Sequence, residues 1–230
     1  MSRHVIVTGP PRSGTTMLIL MMHSVNDCSV YSDHERHPLH PNKFTGIKNK
    51  YIVYKHPYGY FEDFPPKYDY QELIDKGFKI ISLIRNARDV LVSRHSLDPS
   101  KYWVPVKIWK RAAEQVIKHK NSKEVCIIKY EDLVTDSQCV MDKISKFLGC
   151  TCDKTFNDFY NSDSAKLDKN KSLGKLRPID TKSINKWSKV KNVDYLNRIL
   201  NFDPEIDQLD NELNYTYRED RVIWKPKNSS

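Results

Sequence analysis

Short apolar runs, each broken by polar residues, recur along the chain. His4-Val5-Ile6-Val7-Thr8 has the pattern of a buried strand, and a glycine turn separates it from an apolar stretch predicting a helix over about Thr15–Val25. Residues 28–50 are polar and rich in His and Pro, which predicts loop. Tyr51–Lys55 reads as a second strand stopped by Pro57, followed by a Pro-rich loop over 57–68 and a short helix near Tyr70–Lys76. Phe78–Ile84 is the clearest strand: nearly continuous apolar, β-branched and opened by Gly77. Helices are predicted near Arg88–His95 and Val104–His119, the second with Trp109, Ala112, Ala113 and Val116 on one face. Val125–Ile128 is a further strand. The helix after it carries Val140, Ile144, Phe147 and Leu148 at helical spacing and ends at Gly149.

Strands buried on both faces and separated by helices predict an α/β fold, with a central parallel sheet of about five strands flanked by helices. In such sheets ligands bind outside the carboxyl ends of the strands. Three of the four strands lead at once into polar residues: Gly9–Thr16, Lys55-His56 and Arg85–Ser93. The fourth leads into Tyr130-Glu131-Asp132.

Length adds that the 230 residues suit one domain, with its core over about 3–213 and a tail over 214–230. No apolar run reaches 18 residues and no signal-peptide pattern opens the chain, so no membrane span and a cytoplasmic location are expected. The five cysteines are scattered and odd in number, which fits a reducing compartment. Cys150-Thr151-Cys152 has no matching His or Cys pair nearby, and a zinc site is not expected. A net charge of +9 favours an anionic partner without naming it.

The loop Gly9–Thr16 joins a strand to a helix, where backbone N–H groups form an anion site. It nearly satisfies the phosphate-loop pattern G-x-x-x-x-G-K-[ST], but Thr15 stands where a nucleoside triphosphatase needs its lysine, and the cation, Arg12, comes earlier. Glu131 and Asp132 are the candidate Mg²⁺ ligands after a strand, yet Tyr130 precedes them. The loop therefore reads as a phosphate or sulfate binder.

Pro11-Arg12-Ser13-Gly14-Thr15-Thr16 resembles the 5′-phosphosulfate loop of sulfotransferases that use PAPS (3′-phosphoadenosine 5′-phosphosulfate), most closely the Arg-bearing version of tyrosylprotein sulfotransferases. Arg85-Asn-Ala-Arg-Asp-Val-Leu-Val-Ser93 resembles the 3′-phosphate motif of the same superfamily, in which an Arg at a strand end and a Ser two helical turns later grip the donor's 3′-phosphate. Arg85 follows an apolar strand directly, which argues against a mere surface ion pair with Asp89. Tyr130-Glu-Asp-Leu133 resembles a family segment whose Tyr lies near the adenine in some members; packing in the core is an equal alternative. Arg177-Pro178 with Asn185-Lys186-Trp187 resembles a late donor-closing loop, with Arg177 replacing the family's lysine and Trp187 packing. The resemblance spans about residues 4–190. It departs at Met17, where cytosolic members carry an aromatic residue, and in reduced acceptor-binding insertions.

The resemblance implies a single-domain P-loop-like fold and in-line transfer of a sulfuryl group from PAPS to a hydroxyl or amine of a carbohydrate, tyrosine or small molecule. PAP, the desulfonated nucleotide, would be the product, and no metal is implied. Arg12, Ser13, Gly14, Thr15, Thr16, Arg85, Ser93, Tyr130 and Arg177 would bind the donor. Arg12 would neutralise the leaving group with Lys55 assisting. The general base would be His56, or Asp33 or Glu35, with a slight lean to the carboxylates. Segments 28–50, 57–68 and 98–105 would form the acceptor pocket, and the positive charge suits an acidic glycan. Two other readings stay open, a Mg²⁺-dependent P-loop kinase of a small metabolite and a basic polyanion binder. Nothing resembles a nucleic-acid module, so no nucleic-acid partner is expected, and the oligomeric state is not written in the chain.

Overall fold

The computed structural model describes residues 3–31, 48–58, 69–94, 98–161, 177–188, 190–218 and 221–224. Five parallel strands form its centre: β1 (Arg3–Thr8), β2 (Cys28–Tyr31), β3 (Tyr51–Lys55), β4 (Lys79–Ile84) and β5 (Val125–Lys129), in spatial order β2-β3-β1-β4-β5. β3 and β4 are buried along their whole length because elements pack on both faces. On β1, Val5 and Val7 enter one apolar cluster and Ile6 the opposite one, as a two-residue period requires.

β2 corrects the reading of 28–50 as loop. It is an edge strand of four half-buried residues paired with β3. Such a strand buries too little to leave a strong apolar signal, and its pairing partner lies twenty residues and more away.

The helices are α1 (Thr15–Met21), α2 (Tyr70–Asp75), α3 (Ala87–Leu91), α4 (Val106–Lys118), α5 (Tyr130–Thr135), α6 (Ser137–Leu148), α7 (Val190–Phe202) and α8 (Glu205–Glu212). α1 is shorter than the apolar run predicted, since its last turn tightens into a 3₁₀ turn over Met22–Ser24. α3 also stops early, at Leu91. α6 ends on Gly149 at φ 62, the left-handed stop predicted for it. An antiparallel pair, β6 (Tyr215–Arg218) and β7 (Arg221–Trp224), follows α8.

α1 and α6 cover one sheet face, with Leu18, Ile19 and Ile144 against Val7, Val53 and Leu83. α2 covers part of the other through Tyr70 and Leu73. A further cluster joins Trp109 of α4 to Leu196, Ile206, Leu209 and Tyr215, so one fully buried side chain, Tyr215, lies in the segment expected as tail. All five cysteines are free thiols. Among the described residues no helix is long and apolar enough to cross a membrane.

The chain leaves β1 toward β2 and β3, but leaves β4 toward β5. The connections therefore diverge between β1 and β4, and the carboxyl-end crevice opens at that point.

Candidate functional site

The loop after β1 sits in this crevice because two glycines let it. Gly9 has φ 143, and a Cβ there would lie 2.2 Å from the Leu83 carbonyl oxygen of β4. Gly14 has φ 94, and a Cβ would lie 2.8 Å from Cδ2 of Tyr130. Between them Ser13 turns inward: its Oγ and its backbone N–H both donate to the Pro10 carbonyl, at 2.7 and 3.2 Å. Its hydroxyl thus closes the turn. Arg12 adopts φ 71, the left-handed region that costs a non-glycine residue energy and is held only by its surroundings. Its side chain reaches the surface, while crowding protein atoms and then repulsion from Arg85 lower its pKa from the ordinary value. A guanidinium remains charged through such shifts.

β3 delivers the next two residues. Lys55 is buried and its Nζ donates to Thr16 Oγ1 at 3.1 Å, which brings a second cation to the glycine loop. Thr15, beside it, is buried. The half-buried His56 is anchored by its backbone N–H on the Val7 carbonyl at 2.9 Å, and Tyr58 N–H on the Gly9 carbonyl at 2.8 Å. The β3 exit is thereby stitched to β1 and its loop.

β4 delivers Arg85, which is 5% exposed. Its Nη1 donates to the Arg12 carbonyl at 3.1 Å, and its Nη2 donates to the Ser183 carbonyl. Nη2 also faces Asp89 Oδ2 at 3.2 Å, so the Asp89 pair exists, but as a buried pair rather than a surface one. The guanidinium lies 4.3 Å from the centre of the Tyr130 ring, whose edge abuts Gly14. Tyr130 therefore packs against both the loop and the cation. Arg85 Nε is buried and has no hydrogen-bond partner among the described residues.

Ser93 Oγ donates to the Asp89 carbonyl at 2.8 Å, so Ser93 and Arg85 are linked through Asp89. Arg177 is not joined to the loop by any described contact. It is largely exposed and faces Asp180 at 3.5 Å. The later part of its segment, Ser183–Trp187, bonds to Arg85 and Asp89. Asp33 and Glu35 lie outside the described residues.

Sequence reasoning missed the polar shell behind Arg85. Asn86 caps α3, its side chain accepting from Asp89 N–H at 2.8 Å; Asn followed three residues later by an acid is a helix-start signal that marks this pair. Glu131, 1% exposed, accepts from Asn86 Nδ2 at 2.9 Å and from the Tyr215 hydroxyl at 2.8 Å. Both its oxygens hold protein donors, which takes it out of the role of Mg²⁺ ligand. Asp210 accepts from Ala87 N–H with both oxygens at 3.2 Å.

A family model described as a sulfotransferase domain matches residues 2–208. No curated protein matches the chain. Solved structures share its fold. The sulfotransferase domain of the Synechococcus PCC 7002 olefin synthase is 17% identical, covers 94% of this chain and 96% of its own, and superposes with a TM-score of 0.64. The sulfotransferase domain of the curacin biosynthetic pathway is also 17% identical, with 95% and 99% covered and a TM-score of 0.64. Mouse sulfotransferase SULT7A1, complexed with PAP, is 16% identical, with 91% and 88% covered and a TM-score of 0.56.

Proposed function

The chain belongs to the sulfotransferase domain family and is a PAPS-dependent sulfotransferase; on that premise we propose that Arg12 and Arg85 hold opposite ends of the donor and that the acceptor is a hydroxyl. The observation that carries the division of labour is the buried Arg85, with Nε lacking a hydrogen-bond partner among the described residues and Nη1 on the Arg12 carbonyl. A buried cation with an unused donor is costly unless an anion completes it. The donor's 3′-phosphate fits that need, and the glycine loop with Arg12 takes the phosphosulfate end.

Sulfuryl transfer resembles phosphoryl transfer in having a loose, in-line transition state, so the protein's work is positioning and charge neutralisation. Arg12 meets the negative charge that grows on the leaving oxygen, and Lys55, held on Thr16, adds a second positive charge. Loss of either cation is expected to slow transfer by about 10²–10³-fold. The acceptor's proton passes to His56, at the exit of β3, or to Asp33 or Glu35. His56→Ala, Asp33→Asn and Glu35→Gln, compared at saturating donor, identify which group it is.

The acceptor hydroxyl belongs to a carbohydrate, a tyrosine or a small molecule, and the +9 charge of the chain suits an acidic glycan. Calorimetry with PAP in the absence of Mg²⁺, then transfer of label from donor to a panel of glycans, tyrosine peptides and phenols, tests the reading. Failure to bind PAP, or Mg²⁺-dependent ATP hydrolysis in its place, would overturn it.

A further inference from the structure

Asp89 sits one helical turn beyond Arg85 and is 1% exposed. Its Oδ2 accepts from the backbone N–H of Asn185 at 2.9 Å and from Asn86 Nδ2 at 3.1 Å, and faces Arg85 Nη2 at 3.2 Å. Its Oδ1 accepts from the backbone N–H of Trp187 at 3.1 Å. Three of these four donors converge on Oδ2 and one on Oδ1, so both oxygens are held. The segment Ser183–Trp187 thus hangs on one buried ion pair: its Ser183 carbonyl on the cation, two of its amides on the anion. Asn185 stands at φ 59, a left-handed backbone that these tertiary bonds hold in place. Trp187 anchors the far end in the apolar cluster with Leu196.

We propose that Asp89 is a positioning residue that orients Arg85 for the donor's 3′-phosphate and couples occupancy of that position to the seating of Ser183–Trp187 beside it. The proposal rests on the reading that Arg85 holds the 3′-phosphate. A guanidinium binds an anion well only when its plane is aimed. Here Arg12, Ser183 and Asp89 engage both terminal nitrogens, and among the described residues the Nε–H and one Nη1–H are the donors left over. Simple electrostatics makes the opposite claim for Asp89, since a carboxylate beside a phosphate site repels the phosphate and its removal should tighten binding.

Asp89→Asn separates the two, because it keeps the shape and removes the charge. The positioning role predicts that PAP binds about 10- to 100-fold more weakly, the effect of losing hydrogen bonds to a charged group. Binding of adenosine 5′-phosphosulfate, which lacks the 3′-phosphate, should be unchanged, and KM for PAPS should rise more than kcat falls. Unchanged or tighter PAP binding by this variant overturns the proposal. Should the variant not fold, amide exchange in the unaltered protein decides. The Asn185 and Trp187 amides are expected to exchange more slowly with PAP bound, and not with adenosine 5′-phosphosulfate. Equal exchange in all three states overturns the coupling. If the unaltered protein does not bind PAP at all, the donor-site reading itself fails and takes this proposal with it.

Discussion

Arg85 Nη1 donates to the carbonyl oxygen of Arg12 at 3.1 Å, so two residues far apart in the chain and alike in charge are joined through a backbone group. The bond helps to hold Arg12 in its left-handed conformation, and it makes the two strand exits a single mechanical unit. Arg85→Ala should therefore weaken PAP binding by about 10²-fold, more than it weakens adenosine 5′-phosphosulfate, the discrimination expected when a charge-assisted contact to the 3′-phosphate is lost. Arg85→Lys should not restore it, because one ammonium cannot serve Arg12, Ser183 and a phosphate in fixed directions. Paired calorimetry with the two nucleotides is the check. Equal losses for both would remove the 3′-phosphate role.

The glycine loop gives a graded stability test. Gly9→Ala places a Cβ against a backbone oxygen of a central strand, which cannot move away, whereas Gly14→Ala meets the edge of the Tyr130 ring, which can shift a little. Both also pay for a φ that side chains avoid. Gly9→Ala is expected to cost about 3 kcal/mol or more and Gly14→Ala about 2 kcal/mol. Denaturant unfolding measures both, and a reversed order would mean that the loop is not pressed against β4 as described.

Lys55 is a buried cation whose Nζ meets Thr16. Lys55→Met, close to it in volume, should leave melting temperature near its starting value and lower kcat by about 10²-fold at saturating donor. A large fall in stability with kcat intact would assign Lys55 to the fold instead.

The carboxyl-terminal segment is expected to support the site from behind. Tyr215→Phe removes the hydroxyl on Glu131 and leaves one buried carboxylate oxygen without that donor, costing about 1–3 kcal/mol. Truncation after Leu213 removes the ring as well and should lower stability further. Thermal melts of the two variants beside the full chain test whether the domain extends past residue 213.

Asp132 provides a pH test. Burial raises its pKa above the ordinary carboxylate value, only partly offset by Lys129 and Lys143. A carboxyl that holds its proton more tightly folded than unfolded destabilises the fold once pH rises through that window, and costs nothing below its unfolded pKa. Asp132→Asn should therefore raise the melting temperature at pH 7 and leave it unchanged at pH 3. An equal gain at both values would point to a cause other than charge.

Much of this was legible along the chain, because strands and glycine turns are dictated by neighbours a few residues apart. The apolar runs of β1, β3, β4 and β5 declare buried strands whatever the rest of the molecule does. The glycines flanking Arg12, the missing lysine at Thr15 and the placement of Arg85 at a strand end are likewise local facts, and they sufficed to indicate an anion site and its family. The tertiary structure decided what those residues touch. It turned Ser13 inward, buried the Arg85–Asp89 pair, and bonded Ser183–Trp187 of the late segment to that pair. It also found β2, a half-buried edge strand defined by its partner more than by its own pattern. The physical reason is common to all of these. A hydrogen bond between Asp89 and Trp187, or between Glu131 and Tyr215, joins residues some 80 to 100 positions apart, and nothing in the local alternation of apolar and polar residues records which distant donor a buried carboxylate will meet.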